Sequence, residues 1–168
     1  IFSWGPAGPN NASAAAIVEP ADGFCAGTYT VKAKIANNGT NTINGVEVHW
    51  SVDGTPGTTL TVNTPINTIT SGFGNSVIVT LGTVSFTTTP RNIIVYTSMP
   101  NGVADTTNQD DTLNVIKGAS LAGVYTVGGT TPDFPDVVSA ANAINQFGVC
   151  GPVVFNIRPG TYNQGTIT

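Results

Sequence analysis

Charge is what this sequence has least of. Only 8% of its 168 residues are Asp, Glu, Lys or Arg, against about a quarter in ordinary soluble domains. The five bases (Lys32, Lys34, Arg91, Lys117 and Arg158) are scattered along the chain. Phosphate recognition needs clustered Lys and Arg, so nucleic acid is excluded as a partner. No apolar run approaches the roughly 20 residues of a membrane-spanning helix, so no helical bilayer span is expected. There are two cysteines and one histidine, without the ligand spacing of a zinc site. His49 has no nucleophile or carboxylate signalled beside it, and a surface role is expected.

What is abundant is apolar and β-forming. Hydrophobic residues make up 40% of the chain, and Thr, Asn, Ser and Gly supply most of the remaining surface. Too apolar and too weakly charged for disorder, the chain favours sheet, because Val, Ile and Thr pack well on pleated surfaces. Tyr29, Val31, Ala33 and Ile35 alternate with Thr30, Lys32 and Lys34, a period of two that sorts the residues onto opposite faces. After the turn-rich Asn37–Asn41, the series Val46, Val48, Trp50, Val52 alternates with Glu47, His49 and Ser51. Asp53-Gly54 then signals a hairpin. Further strands are predicted at 58–62, 76–81, 92–97 and 112–117, with a short first strand near Ile17-Val18. About seven strands predict an immunoglobulin-like β-sandwich over residues 12–117, with Trp50, Tyr29, Val31, Ile35 and Val48 in its core.

The strings Val31–Gly39, Val46–Gly54, Pro100–Asp105 and Asn108–Thr112 resemble the CARDB-type (cell-adhesion-related) domain. That resemblance covers about residues 12–117. It implies a spacer or adhesion module in a large exported bacterial protein, notably of Bacteroidetes type. It also implies export through an outer-membrane machinery of the type IX secretion kind, reading a C-terminal sorting domain. Residues 1–11, with Phe2-Ser3-Trp4 and a Pro/Gly run, are expected to be a linker or the tail of a preceding domain.

After Gly118 the periodicity changes. Phe134, Val137, Val138, Ala141, Ile144 and Phe147 recur at helical spacing, with Asp133 placed as N-cap and Gly148 as C-terminal cap. The following Val153–Tyr162 string, ending in Pro159-Gly160-Thr161-Tyr162, resembles the N-terminal cap and first coil of right-handed parallel β-helices of the pectin-lyase-like kind. That resemblance covers about residues 118–168, with a further apolar start at Thr166-Ile167-Thr168. A solenoid rung needs neighbours to bury its apolar face, so the native protein is expected to continue beyond Thr168.

Cys25 and Cys150 fall in different predicted domains. Either they form a disulfide tying sandwich to cap, as an exported chain permits, or they are separate buried thiols. Asp105, Asn108, Asp110 and Asp111 are candidate calcium ligands, since calcium takes 6–8 oxygens. Asp and Asn also favour turns without metal, and no other cofactor is implied. Trp50, Tyr29, Phe73, Phe86 and Tyr96 could form a sugar-stacking platform, but their alternation argues for core packing. Asn11-Ala12-Ser13 and Asn38-Gly39-Thr40 match the N-glycosylation pattern.

Two functions follow. The first is a non-catalytic structural or adhesive segment of a secreted or cell-surface protein, extracellular in location. Its partners would be other domains of the same chain, the export machinery or surface polysaccharide. The second is an accessory domain plus the N-terminal part of a β-helix polysaccharide lyase or esterase, with catalysis on later coils.

Overall fold

The computed structural model describes residues 8–68, 75–105 and 107–162. The Phe2-Ser3-Trp4 segment, Phe73 and the Thr166-Ile167-Thr168 start lie outside the described residues. Contacts divide the chain into two units. The first comprises Ile1–Pro20, Tyr29–Val84 and Arg91–Lys117; the second comprises Ala21–Thr28, Ser85–Pro90 and Gly118–Thr168. The boundary is therefore not a single cut at residue 117. Two excursions of the sandwich sequence, at 21–28 and 85–90, belong with the C-terminal segment.

The first unit is an antiparallel two-sheet sandwich. One sheet runs β1 (Ala12–Glu19), β2 (Gly27–Asn37), β6 (Ser76–Phe86). The other is centred on β3 (Val46–Val52), which pairs with β7 (Arg91–Ser98) on one side and with the short β4 (Thr55–Pro56) and β5 (Leu60–Val62) on the other. β7 in turn pairs with β8 (Thr112–Lys117). Alternation along each strand delivers the core: Val31, Ala33 and Ile35 from β2, Val46, Val48 and Val52 from β3, Ile93 and Val95 from β7, all buried. Fully burying each Val or Ile side chain contributes about 1.5–3 kcal/mol.

Several strand limits differ from expectation. The first strand starts at Ala12, earlier than Ile17-Val18, because its first five residues are four alanines and one serine, which give little β signal. The strand predicted at 76–81 runs to Phe86, continuing through Gly82. The predicted 58–62 strand is only Leu60–Val62, while Thr55–Pro56 pairs separately across the Asp53-Gly54 turn. Asp53 (φ 48°) and Gly54 (φ 80°) both have positive φ, as a tight primed hairpin turn requires.

Two expected core residues are only half-buried. Tyr29 continues the inward alternation but lies beyond the reach of β1, whose pairing with β2 ends at Glu19 opposite Lys32. Trp50 keeps its indole N–H within reach of the Thr58 carbonyl at 3.1 Å, which holds one edge of the ring at the sheet margin. Of the remaining aromatics, Phe86 is buried, whereas Tyr96 is 43% exposed on the outer face of β7. Ile93, Val95 and Thr97 take the inward positions there, so alternation sends Tyr96 out.

The 37–43 connection is organised by a buried amide. Asn37, fully buried, donates from Nδ2 to the carbonyls of Asn41 and Ile66, both at 2.8 Å, and accepts the Gly39 N–H at 2.9 Å. A Cβ at Gly39 would stand 2.6 Å from the Pro9 carbonyl oxygen and 2.7 Å from the Asn11 nitrogen, so the loop needs glycine there.

In the second unit, β9 (Leu121–Val127) and β10 (Val149–Ile157) pair in parallel through the crossover helix α1 (Val137–Phe147). The helix N-cap is Asp136, not Asp133: its carboxylate accepts the Ser139 N–H at 2.7 Å. Asp133 instead accepts the Thr126 N–H (2.7 Å) and hydroxyl (2.8 Å), which holds Phe134 in a parallel bridge to Val127. Phe134 consequently packs with Tyr125 and Phe155, centroids 5.6 and 5.9 Å away, rather than on the helix. Gly148 (φ 72°) closes the helix as expected. The Pro159-Gly160-Thr161-Tyr162 turn folds back so that the Tyr162 hydroxyl reaches the Val127 carbonyl at 3.1 Å. Among the described residues, what there is of a solenoid is this one parallel pair of strands.

Candidate functional site

The cysteines form a disulfide, Cys25–Cys150, with Cα atoms 5.5 Å apart. Both belong to the second unit, so the bridge lies inside it instead of joining sandwich to cap. Around it, the Ser120 N–H donates to the Phe24 carbonyl at 2.8 Å and the Ala119 N–H to the Thr87 carbonyl at 3.0 Å. Phe24 meets Phe86 edge-on at 5.1 Å. These contacts explain why 21–28 and 85–90 leave the sandwich sequence to join this unit.

In the same unit, α1 presents Val137, Ala140, Ala141 and Ile144 at the i, i+3, i+4, i+7 spacing of one helix face. With Val127, Phe155 and Ile157 they line an apolar groove of about 140 Å³. Val124, Val149, Val154 and Ile157 are more than half exposed.

On the outer face of the first unit, the structure gathers a group around His49 that sequence reasoning missed. His49 stacks on Tyr96, centroids 4.6 Å apart, as the His49–Tyr96 cross-strand pairing requires. Its Nε2 lies 2.9 Å from Ser98 Oγ and 3.5 Å from Glu47 Oε2, and its Nδ1 lies 3.1 Å from Thr59 Oγ1. A serine, a histidine and a glutamate are thus adjacent, yet their order is wrong for nucleophile activation. A catalytic histidine accepts the serine proton while a carboxylate holds its other nitrogen. Here the Ser98 hydroxyl donates to Glu47 at 3.2 Å, and Thr59 occupies Nδ1. Glu47 was legible from its shared face with His49; Ser98 emerges only from the β3–β7 register.

The acidic loop is the richest site. The Ala12 N–H donates to Asp105 Oδ2 at 2.9 Å and the Thr107 N–H to Asp105 Oδ1 at 2.8 Å. Asn38 Nδ2 donates to Asp110 Oδ2 at 2.7 Å and to Ser13 Oγ at 3.0 Å. The Asp111 carbonyl accepts the Thr97 N–H at 3.1 Å. Burial, then the charges of Asp105 and Asp110, push the Asp111 carboxyl up to about 6. Three buried oxygens of this region have no hydrogen-bond donor among the described residues: Asn11 Oδ1, Asp110 Oδ1 and Asp111 Oδ1. Asn11 is only 3% exposed, which removes it as a glycosylation acceptor in the folded protein; Asn38 is exposed. Among the described residues, no three His, Cys, Asp or Glu side chains alone form a metal-holding group. Any cation here would need amide or carbonyl oxygens as well.

The fold of the first unit is thus an immunoglobulin-like sandwich, the architecture of many extracellular modules. No family model and no curated protein matches the chain. Among solved structures, the chain is similar to the CARDB domain of a Pyrococcus furiosus protein in complex with di-metal ions. The identity is 11%, the TM-score 0.42, and the match covers 59% of this chain and 78% of that one. It is also similar to a domain described as part of a cell-surface protein of Methanosarcina acetivorans. Here the identity is 20%, the TM-score 0.45, and the coverage 70% and 93%.

Proposed function

We propose that this chain is a non-catalytic structural or adhesive segment of an exported cell-surface protein. The observation that carries the reading is the Cys25–Cys150 disulfide. Disulfides persist in oxidising, extracytoplasmic environments and are rare in the cytosol. A second support is the outer sheet face, where Thr59, Ser98, Glu47 and His49 are tied to one another instead of being arranged around a nucleophile. No helix among the described residues is long and apolar enough to cross a membrane.

The finer elements of the reading rest on sequence resemblance: a CARDB-type module, a Bacteroidetes-type parent, and a sorting-domain export route. The parallel β9–α1–β10 unit is compatible with the cap and first rung of a β-helix. It supports a second reading, in which later rungs carry a polysaccharide lyase or esterase site. In either case the partners are other domains of the parent and surface polysaccharide.

The test is protease shaving of intact cells of the native host, with quantitative detection of peptides from residues 8–162. The proposal requires their release without lysis. Release only after lysis would overturn it. Lyase or esterase activity that disappears on mutating Ser98 or His49 would overturn the non-catalytic assignment.

A further inference from the structure

We propose that Asn44-Gly45, in the turn leading into β3, is a site of spontaneous covalent modification. Asn44 deamidates there through a cyclic imide, mainly to isoaspartate, and this releases the neighbouring Met99–Val103 loop. The inference goes beyond the surface assignment and does not depend on it.

The chemistry needs only water and hydroxide. Glycine carries no Cβ, so its backbone nitrogen can approach the side chain of the residue before it. Hydroxide takes the Gly N–H proton and the nitrogen attacks the Asn Cγ. The N–Cγ bond forms, the Cγ–Nδ2 bond breaks, and the amide leaves as ammonia after taking a proton from water. Water then opens the cyclic imide. Attack at Cγ gives aspartate. Attack at the backbone carbonyl carbon gives isoaspartate, whose main chain runs through Cβ and Cγ and is longer by a methylene.

The sequence contains three Asn-Gly pairs, at 38–39, 44–45 and 101–102, and the fold protects two of them. Asn38 Nδ2 donates to Ser13 Oγ at 3.0 Å and to Asp110 Oδ2 at 2.7 Å. The Gly39 N–H donates to Asn37 Oδ1 at 2.9 Å. Asn101 Nδ2 donates to Asn10 Oδ1 at 2.8 Å and to the Thr42 carbonyl at 3.0 Å. The Gly102 N–H donates to the Met99 carbonyl at 2.9 Å. In both pairs the leaving amide and the attacking nitrogen are committed, and those hydrogen bonds must open before the ring can close. Asn44 differs. It is exposed, and among the described residues its side chain has no hydrogen-bond partner and the Gly45 N–H has no acceptor. The space beside Gly45 is open as well: a Cβ there would meet only Asn63 Oδ1, at 3.7 Å.

The Asn44-Gly45 segment also holds Asn101. The Asn44 N–H donates to Asn101 Oδ1 at 2.7 Å, and the Asn101 N–H donates to the Gly45 carbonyl at 2.7 Å. Between these two bonds Asn101 is kept at φ 55°, flanked by Met99 at φ 51° and Gly102 at φ 74°. Non-glycine residues keep positive φ where their surroundings enforce it. A methylene added between the Asn44 N–H and the Gly45 carbonyl destroys the match between the two bonds. The loop it frees carries Met99 and Val103, 44% and 47% exposed. Because ammonia is lost, the change runs one way, and the altered fraction grows with the age of the molecule.

The folded chain, disulfide intact, is incubated in mildly alkaline water enriched in heavy oxygen, and a second sample in the same solvent with guanidinium. Digestion in mild acid stops the reaction, and fragmentation mass spectrometry locates the label and separates isoaspartate from aspartate. In the folded chain Asn44 is expected to be labelled about tenfold faster than Asn38 and Asn101, the ratio set by the hydrogen bonds that must open first. In guanidinium the three pairs should react at similar rates. Gly45→Ala, whose Cβ has room, should slow labelling of Asn44 severalfold and leave Asn38 unchanged. Amide exchange at Asn101, Gly102 and Val103 should be faster in the isoaspartate fraction than in fresh protein. It should stay slow in Asn44→Asp, which adds the charge without lengthening the chain. Labelling of Asn44 no faster than that of Asn38 and Asn101 in the folded chain overturns the proposal, as does an unchanged rate in Gly45→Ala. Unchanged exchange at the three amides in the isoaspartate fraction overturns the release of the loop.

Discussion

The indole of Trp50 lies where Gly82 has no side chain: a Cβ at Gly82 would stand 2.8 Å from the ring. A residue of β3 and one of β6 thus fit together because the second is glycine, although glycine inside a strand costs backbone entropy. Gly82→Ala forces the ring to move, and overpacking of this kind costs about 1–3 kcal/mol. Urea unfolding followed by Trp fluorescence is expected to show that loss together with a shifted emission maximum. A variant as stable as the wild type would mean that the ring is not held against this strand.

Asn37 is the second point at which the sandwich depends on one residue. Asn37→Ala strands the Gly39 N–H and the carbonyls of Asn41 and Ile66, which it now satisfies. Leaving buried polar groups unpaired costs about 1–3 kcal/mol each at most, and partial relaxation of the loop brings the expected total to about 2–4 kcal/mol. Denaturant midpoints of the wild type and Asn37→Ala measure it. Hydrogen exchange should accelerate first at Gly39 and Ile43, the residues nearest the lost anchor.

The second unit is expected to respond to reductant. Cys25 and Cys150 are 125 positions apart, and the chain-entropy model gives about 5 kcal/mol for so long a loop. Much of that loop is the sandwich, which has its own core and shortens the effective loop when folded. A loss of about 2–4 kcal/mol is therefore expected for Cys25→Ser. It should appear in the β9–α1–β10 amides and leave those of β3 and β7 unchanged.

Acid should loosen the same unit at two defined points. The backbone N–H of Ser139 holds the Asp136 carboxyl below its ordinary range, and the Thr126 N–H does the same for Asp133. Each folded pKa is lowered, so each contribution is present above the usual carboxylate range. It is lost as pH falls through that range toward the depressed value. Helicity followed between pH 6 and 2 should fall at the acid end. Asp136→Asn, which keeps a capping oxygen but cannot titrate, should flatten the curve.

Local rules made much of this legible. Alternation placed Val31, Ile35 and Val48 inside, the bounds of β8 came directly from Thr112–Lys117, and Gly148 was recognisable as a helix terminator. What failed depended on pairing between distant segments. Gly82 reads as a strand breaker until Trp50 is seen to cover it. Asp133 and Asp136 are equally good caps until Thr126 claims the first. Ser98 beside His49, and Ala12 beside the acidic loop, are products of pairing across 49 and 93 positions, and one-dimensional periodicity carries no such information.

The central claim is that this chain works outside the cytoplasm as a disulfide-locked surface module. Differential alkylation of the protein from its native host, followed by peptide mass spectrometry, tests it most directly. Cells are lysed into one alkylating reagent, reduced, and labelled with a second. The account predicts that Cys25 and Cys150 carry only the second label and, without reduction, appear as one cross-linked peptide pair. Both cysteines carrying the first label would mean that the native protein is reduced, and would contradict the claim.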